Sequence, residues 1–124
     1  MKTILVVDDE QDILHTLEMI LTLEGYKVVL AYDGKQGLER IEDSLPDLII
    51  SDIMMPVMDG VEMTQKLRTK PATQRIPIIM LSAIQPDFRP EMKKSWDLFI
   101  KKPPDLDRLL QAISRLISQS PSSS

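Results

Sequence analysis

The chain of 124 residues contains no cysteine, which removes disulfides and every thiolate metal site, although it does not by itself fix a compartment. An excess of basic charge is missing as well. Lys and Arg number 15 against 19 Asp and Glu, the net charge is −4, and the basic residues are scattered among acids, so direct nucleic-acid binding is not expected. No long apolar run is present. "MKTILVVDDE" offers one lysine and then only the short stretch Ile4–Val7, far below a signal-peptide core or a membrane span, and a cytoplasmic protein without membrane contact is the expectation. No glycine-rich phosphate loop follows that stretch, which sets a flavin or nucleotide carrier aside. What remains is ordinary material for one globular domain: 43% hydrophobic and 27% charged residues. The domain is expected over 1–118, with the Ser-rich end, 119–124, as a disordered tail or the stump of a linker.

Short apolar runs alternate with stretches of helical period. "TILVV" (3–7) is continuous and β-branched, as in a strand buried on both faces. Ile13, Leu14, Leu17, Ile20 and Leu21 then recur at helical spacing, with Gly25 where a C-terminal cap belongs. "KVVLA" (27–31) predicts a second strand, and Asp33 with Gln36 resembles a capping box. "DLIIS" (47–51) is a third strand, followed by Asp59 with Glu62 opening a helix that carries Val61, Met63 and Leu67. "IPIIMLS" (76–82) and "DLFI" (97–100) predict the fourth and fifth strands, and from Pro104 the residues Leu106, Leu109, Leu110, Ile113, Leu116 and Ile117 form one helical stripe. Strict alternation requires crossover connections and so a parallel sheet covered on both faces, a doubly wound α/β fold; an eight-stranded barrel needs roughly twice the length.

Ligand sites in such sheets lie at the carboxyl ends of the strands, where the strand order reverses. Asp8 and Asp9 end strand one, Asp52 ends strand three, Ser82 ends strand four and Lys102 follows strand five. Carboxylates brought this close repel one another and must share a proton or hold a cation. An oxygen-only donor set, without Cys or His nearby, favours Mg2+ or Mn2+ over Zn2+. Each residue taken singly has a plainer role: a helix cap for Asp8 or Asp9, a turn former for Asp52, a solvated lysine for Lys102. Their joint order and placement outweigh those singly plausible roles. His15 sits on the polar side of its helical stripe as an exposed residue, and the eight methionines are mostly core or loop filler.

"ILVVDDE", "DLIISDIMMPVMDG", "IPIIMLSA" and "FIKKP" resemble the four signature blocks of response-regulator receiver domains of two-component phosphorelays, among them the single-domain chemotaxis regulator. The resemblance covers residue 2 to about 117 and implies a flavodoxin-like (βα)5 fold with strand order 2-1-3-4-5. It implies Asp52 as phosphoryl acceptor, Asp9, Asp52 and the backbone carbonyl of Met54 as direct Mg2+ ligands, and Asp8 acting through water. Lys102 and Ser82 would each meet a phosphoryl oxygen, and Ser82 with Phe99 would form the switch that alters the surface of the fourth helix, fifth strand and fifth helix. Pro56 and Gly60 read as loop geometry. The implied partners are a histidine kinase or histidine phosphotransfer protein upstream, and an unspecified protein downstream.

The sequence departs from the family in several places. Prolines at 86 and 90 predict a short or irregular fourth helix, since a proline inside a helix costs about 3 kcal/mol. Ser95-Trp96 replaces the family's small pair, with Trp96 either a repacked core anchor or an exposed contact residue for a private partner. "KPP" (102–104) alters the usual proline-aromatic pair, and a cis bond before Pro103 is implied by the family. Met54 and Ile84 flank the expected path of hydrolytic water without a strong hydrogen-bonding group, which predicts slow self-dephosphorylation. Two other functions are weighed: a phosphorylation-independent interaction module that retains the site, and a small Mg2+-dependent phosphohydrolase with an aspartyl nucleophile.

Overall fold

A computed structural model describes residues 1–83 and 95–119. In chain order these form β1 (Thr3–Val7), α1 (Gln11–Leu23), β2 (Lys27–Ala31), α2 (Gly34–Asp43), β3 (Leu48–Ser51), α3 (Gly60–Arg68), β4 (Ile78–Ser82), β5 (Leu98–Lys101) and α4 (Leu106–Gln119). The expected irregular helix around Pro86 and Pro90 lies outside the described residues. The last predicted helix is α4, and it runs one residue past the expected domain boundary at 118.

All strand pairs are parallel and the order is β2-β1-β3-β4-β5, as the resemblance implies. Alternate residues of each strand serve opposite faces, which is why the strands read as unbroken apolar runs. Ile4, Val6, Ile50, Ile79 and Leu81 pack under Leu14, Leu17 and Leu21 of α1 and Leu109, Ile113 and Ile117 of α4. Leu5, Val7, Ile49, Ile78 and Met80 pack on the other face under Ile41 of α2 and Met63 and Leu67 of α3. Trp96 is 6% exposed and belongs to this second layer, which decides between the two roles considered for it in favour of a core anchor.

The helix ends follow local chemistry. Gly25 takes φ +94° after α1, its N–H bonding to Thr22 O at 3.0 Å while Tyr26 N–H bonds to Leu21 O at 3.1 Å. That is a Schellman closure, which a residue with a Cβ resists. Asp33 and Asp59 each accept the backbone N–H three residues on, Gln36 and Glu62, at 2.8 Å. Gln36 Oε1 reaches back to Tyr32 N–H at 2.9 Å, which completes the reciprocal pair expected at α2 with a shift of one residue.

Away from the strand ends that carry the acids, Arg68 closes α3 onto the far edge of the sheet. Its guanidinium donates to Ser95 O, Gln74 O and Ile76 O at 2.7 to 2.9 Å and pairs with Asp97 Oδ2 at 3.0 Å. Asp97 Oδ2 also accepts Ile78 N–H at 2.8 Å, so the segment leading into β5 is tied to β4 and α3 together. Thr64 and Ser95 share a buried hydroxyl hydrogen bond of 2.5 Å beside it.

Candidate functional site

The chain leaves β1 toward β2 on one side and returns to β3 on the other, so the crevice of the fold opens beyond the carboxyl ends of β1 and β3. The backbone there is fixed by one more rung on each ladder. Asp8 N–H bonds to Ala31 O at 3.1 Å, and Asp52 N–H bonds to Val7 O at 2.9 Å. Both carboxylates are thereby held at the rim, yet Asp8 is only 2% exposed and Asp52 only 7%.

Lys102 enters from the far side of the sheet. Its N–H bonds to Ser82 O at 2.9 Å, continuing the β4–β5 pairing, and its peptide bond to Pro103 is cis, as the resemblance implies. Its ammonium donates to Asp8 Oδ2 at 2.7 Å and to Asp52 Oδ2 at 3.2 Å. The other oxygen of each acid accepts a backbone N–H: Glu10 on Asp8 at 2.9 Å and Ile53 on Asp52 at 2.7 Å. Burial disfavours the Lys102 charge, but the hydrogen bond to Asp8 and the nearby Asp8 and Asp52 charges outweigh it, and its pKa lies above the ordinary lysine value. Asp8 is pushed up by burial, which its bonds to Lys102 and to Glu10 N–H offset only in part. Asp8 and Asp52 are thus two buried acids sharing one ammonium.

The loop after Asp52 wraps this corner tightly. Ser51 Oγ donates to Asp52 O at 2.8 Å and Gly60 N–H to Ile53 O at 2.8 Å. Met58 N–H bonds to Pro56 O at 2.7 Å across Val57, whose φ of 69° makes this a strained γ-turn. Met58 O in turn accepts Gly34 N–H at 3.1 Å, so the N-terminus of α2 anchors the loop. Pro56 and Gly60 therefore serve geometry, as the motif suggests.

Of the residues singled out in the sequence, Asp8, Asp52 and Lys102 meet directly. Ser82 is buried at the end of β4, and Phe99 is partly buried on β5 opposite Met80, against the layer under α2 and α3. Met54 is 60% exposed, and Ile84 lies outside the described residues. Asp9 is exposed and stands outside the group of converging acids. That group is Asp8, Glu10 and Asp52, with carboxylate oxygens all within 4.8 Å of one another. Glu10 is the residue that sequence reasoning missed. Its place two residues after Asp8, where an aspartate commonly accepts a backbone N–H, is the signal that could have found it. Three carboxylates against one ammonium, with oxygen donors only, suit a hard divalent cation such as Mg2+ or Mn2+.

Residues 4–114 match the family model of the response regulator receiver domain. The chain belongs to that family. It is 36% identical over 123 residues to the response regulator ArlR of Staphylococcus aureus, an alignment covering 98% of this chain and 55% of ArlR. The receiver thus spans about half the length of the curated relatives it matches. Among solved structures it resembles the CheY-like receiver domain protein of Methanospirillum hungatei, at TM-score 0.88 and 29% identity, covering 100% of this chain and 99% of that one. It also resembles the response regulator TrrA of Thermotoga maritima in complex with Mg(2+)-BeF, at TM-score 0.84 and 33% identity, covering 94% and 99% of the two chains. Among the receiver's described residues, no helix is long and apolar enough to cross a membrane.

Proposed function

We propose that this receiver takes a phosphoryl group onto Asp52 from a phosphohistidine of a histidine kinase or histidine phosphotransfer protein, and that a protein partner reads the modified state. The observation that carries the reading is the buried Asp52 carboxylate at a strand end, 3.2 Å from the Lys102 ammonium, in a chain that matches the receiver family over residues 4–114. In the transfer, an Asp52 oxygen bonds to phosphorus while the phosphorus–nitrogen bond breaks and its electron pair returns to the donor imidazole. The Ile53 N–H on Oδ1 and the continued β-ladder hold the direction of attack, which is the main protein contribution to this chemistry.

Lys102 then meets one phosphoryl oxygen as a point charge, and the Ser82 hydroxyl donates to another. Held by Asp8, Asp9 and Asp52 with the Met54 carbonyl, a Mg2+ or Mn2+ ion would neutralise charge on the phosphoryl oxygens; the Mg(2+)-BeF complex of TrrA supports this at 33% identity. A phosphoryl group carries about −1.5 to −2 charge at neutral pH, so the modified state has to gain positive or donating partners. Movement of Ser82, followed by Phe99 on β5, is the proposed route to the surface of β5 and α4. Met54 presents no side chain able to orient water, and slow loss of the phosphoryl group belongs to the same reading.

Intact mass after incubation with Mg2+ and acetyl phosphate tests this. One added phosphoryl group is expected on the wild type and none on Asp52→Asn, and the time course of its loss gives the lifetime. An adduct that persists in Asp52→Asn refutes the assignment. Turnover of generic phosphate esters would instead favour a phosphohydrolase.

A further inference from the structure

We infer that Arg68 is a positioning residue for Lys102: by clasping the lead into β5 to the end of α3, it fixes the Lys102 ammonium relative to Asp52, a role that rests on the phosphoacceptor reading above. Asp52 and Lys102 do not follow neighbouring strands. β4 stands between β3 and β5, and β5, the end strand of the sheet, has four residues paired among the described residues to β4 alone. Strand pairing therefore sets the separation of the two side chains only through two successive ladders. α3 provides a direct link. Its first residue abuts the strand end that presents Asp52, with Gly60 N–H on Ile53 O at 2.8 Å and no room for a Cβ against Asp52 O. Its last residue is Arg68.

The clasp at that end uses the whole guanidinium. Nε donates to Ser95 O at 2.9 Å, Nη1 to Gln74 O at 2.9 Å and to Ile76 O at 2.7 Å, and Nη2 to Asp97 Oδ2 at 3.0 Å. Two of these oxygens precede β5 and two precede β4, so one planar group holds both strands to the helix, which the single ammonium of a lysine could not do. Asp97 completes the joint. Its Oδ2 accepts Ile78 N–H and its own N–H donates to Ile78 O, both at 2.8 Å. From Asp97 the chain runs about 16 Å along β5 to Lys102, at roughly 3.3 Å per residue. There the Lys102 N–H on Ser82 O is the last rung, and the ammonium reaches Asp8 and Asp52 at 2.7 and 3.2 Å. A slip of β5 along β4 carries the ammonium with it by the same amount. Arg68 touches no reacting group, so its influence on Asp52 passes through β5 and Lys102.

Amide hydrogen exchange and acetyl phosphate labelling of the whole chain test this together. Arg68→Ala is expected to speed exchange of the Lys102 N–H, which bonds to Ser82 O, about tenfold more than that of the Asp52 N–H, which bonds to Val7 O. Equal acceleration at both positions would mean a general loss of stability and overturns the proposal. Labelling with Mg2+ and acetyl phosphate, under conditions where far-ultraviolet dichroism shows the variant folded, should be about tenfold slower than in the wild type, because small displacements of reacting groups cost rate steeply. Thr73→Val removes a buried hydroxyl bond to Leu67 O at the same end of α3, a bond that does not involve β5, and should label within about twofold of the wild type. Wild-type labelling in Arg68→Ala, or equal slowing by Thr73→Val, overturns the proposal while leaving the phosphoacceptor reading in place. A wild type that takes up no phosphoryl group, or an Asp52→Asn variant that takes up as much, overturns that reading itself.

Discussion

Lys102 decides how the site responds to pH. Its folded pKa lies above the ordinary value of 10.5, so the unfolded chain loses this proton first as pH rises. The stabilisation is complete below that value and is lost as pH climbs through the folded pKa. Asp8 has the opposite consequence: burial lifts it above the ordinary 3.8, the folded state takes up the proton first on acidification, and the cost of its buried charge disappears there. Removing Lys102 leaves two buried carboxylates without their shared cation, and breaking such a pair costs about 3–5 kcal/mol. Urea unfolding of the metal-free wild type and Lys102→Met over a pH series should therefore show a stability gap that is widest near neutrality. The gap narrows in acid as Asp8 protonates, and narrows in alkali as Lys102 discharges. A gap independent of pH would show that the ion pairs contribute nothing and that Lys102 acts through packing alone.

Among the elements, the start of α3 and the end of β3 approach each other more closely than any side chain permits. A Cβ on Gly60 would lie 2.1 Å from Asp52 O and 3.1 Å from Ser51 Oγ, and the nearer neighbour is backbone that cannot turn aside. Gly60→Ala must therefore displace either the helix start or the strand end that presents Asp52. The expected cost is about 1–3 kcal/mol of stability and, on the proposed role of Asp52 as phosphoryl acceptor, slower phosphoryl uptake, because small displacements of a nucleophile cost rate steeply. Acetyl phosphate labelling alongside urea unfolding checks both, and a variant that loses stability but labels at the wild-type rate would show that the helix yields and Asp52 stays in place. Elements of this kind are legible in the sequence where local chemistry decides them: Gly25, Asp33 and Asp59 mark helix ends that the structure reproduces. Contacts assembled from distant segments are not. The Arg68 guanidinium gathers oxygens from Gln74, Ile76, Ser95 and Asp97, and nothing near Arg68 in the chain announces them. Which of three successive acids face the crevice was equally hidden. In the turn after β1, Asp8 is buried and accepts the Glu10 N–H, while Asp9 and Glu10 both stay exposed and Glu10 Oε1 lies 3.7 Å from the Lys102 ammonium.

On the scale of the molecule, one sheet serves two apolar layers, and this is the part of the fold most readable from sequence, since strands covered on both faces lack polar alternation. The burial of Trp96 was not readable in the same way, because a lone aromatic outside any periodic stretch fits a core or a contact surface equally well. The sharing of strands makes the two layers interdependent. Ile4 and Val6 belong to one layer and Leu5 and Val7 of the same strand to the other, so losing either layer exposes the backbone ladder that supports both. Trp96, the single tryptophan, reports from the layer under α2 and α3, whereas Ile113 is fully buried in the layer under α1 and α4. Ile113→Ala should cost about 2–4 kcal/mol through the cavity it leaves. If the sheet couples the layers, this change moves the Trp96 fluorescence transition and the far-ultraviolet dichroism transition in urea by the same amount. A fluorescence midpoint that stays at the wild-type value while the dichroism midpoint falls would mean that α1 and α4 can detach from a sheet whose other face remains folded, and the corner that holds Asp52 would then keep only the half of its support that α2 and α3 provide.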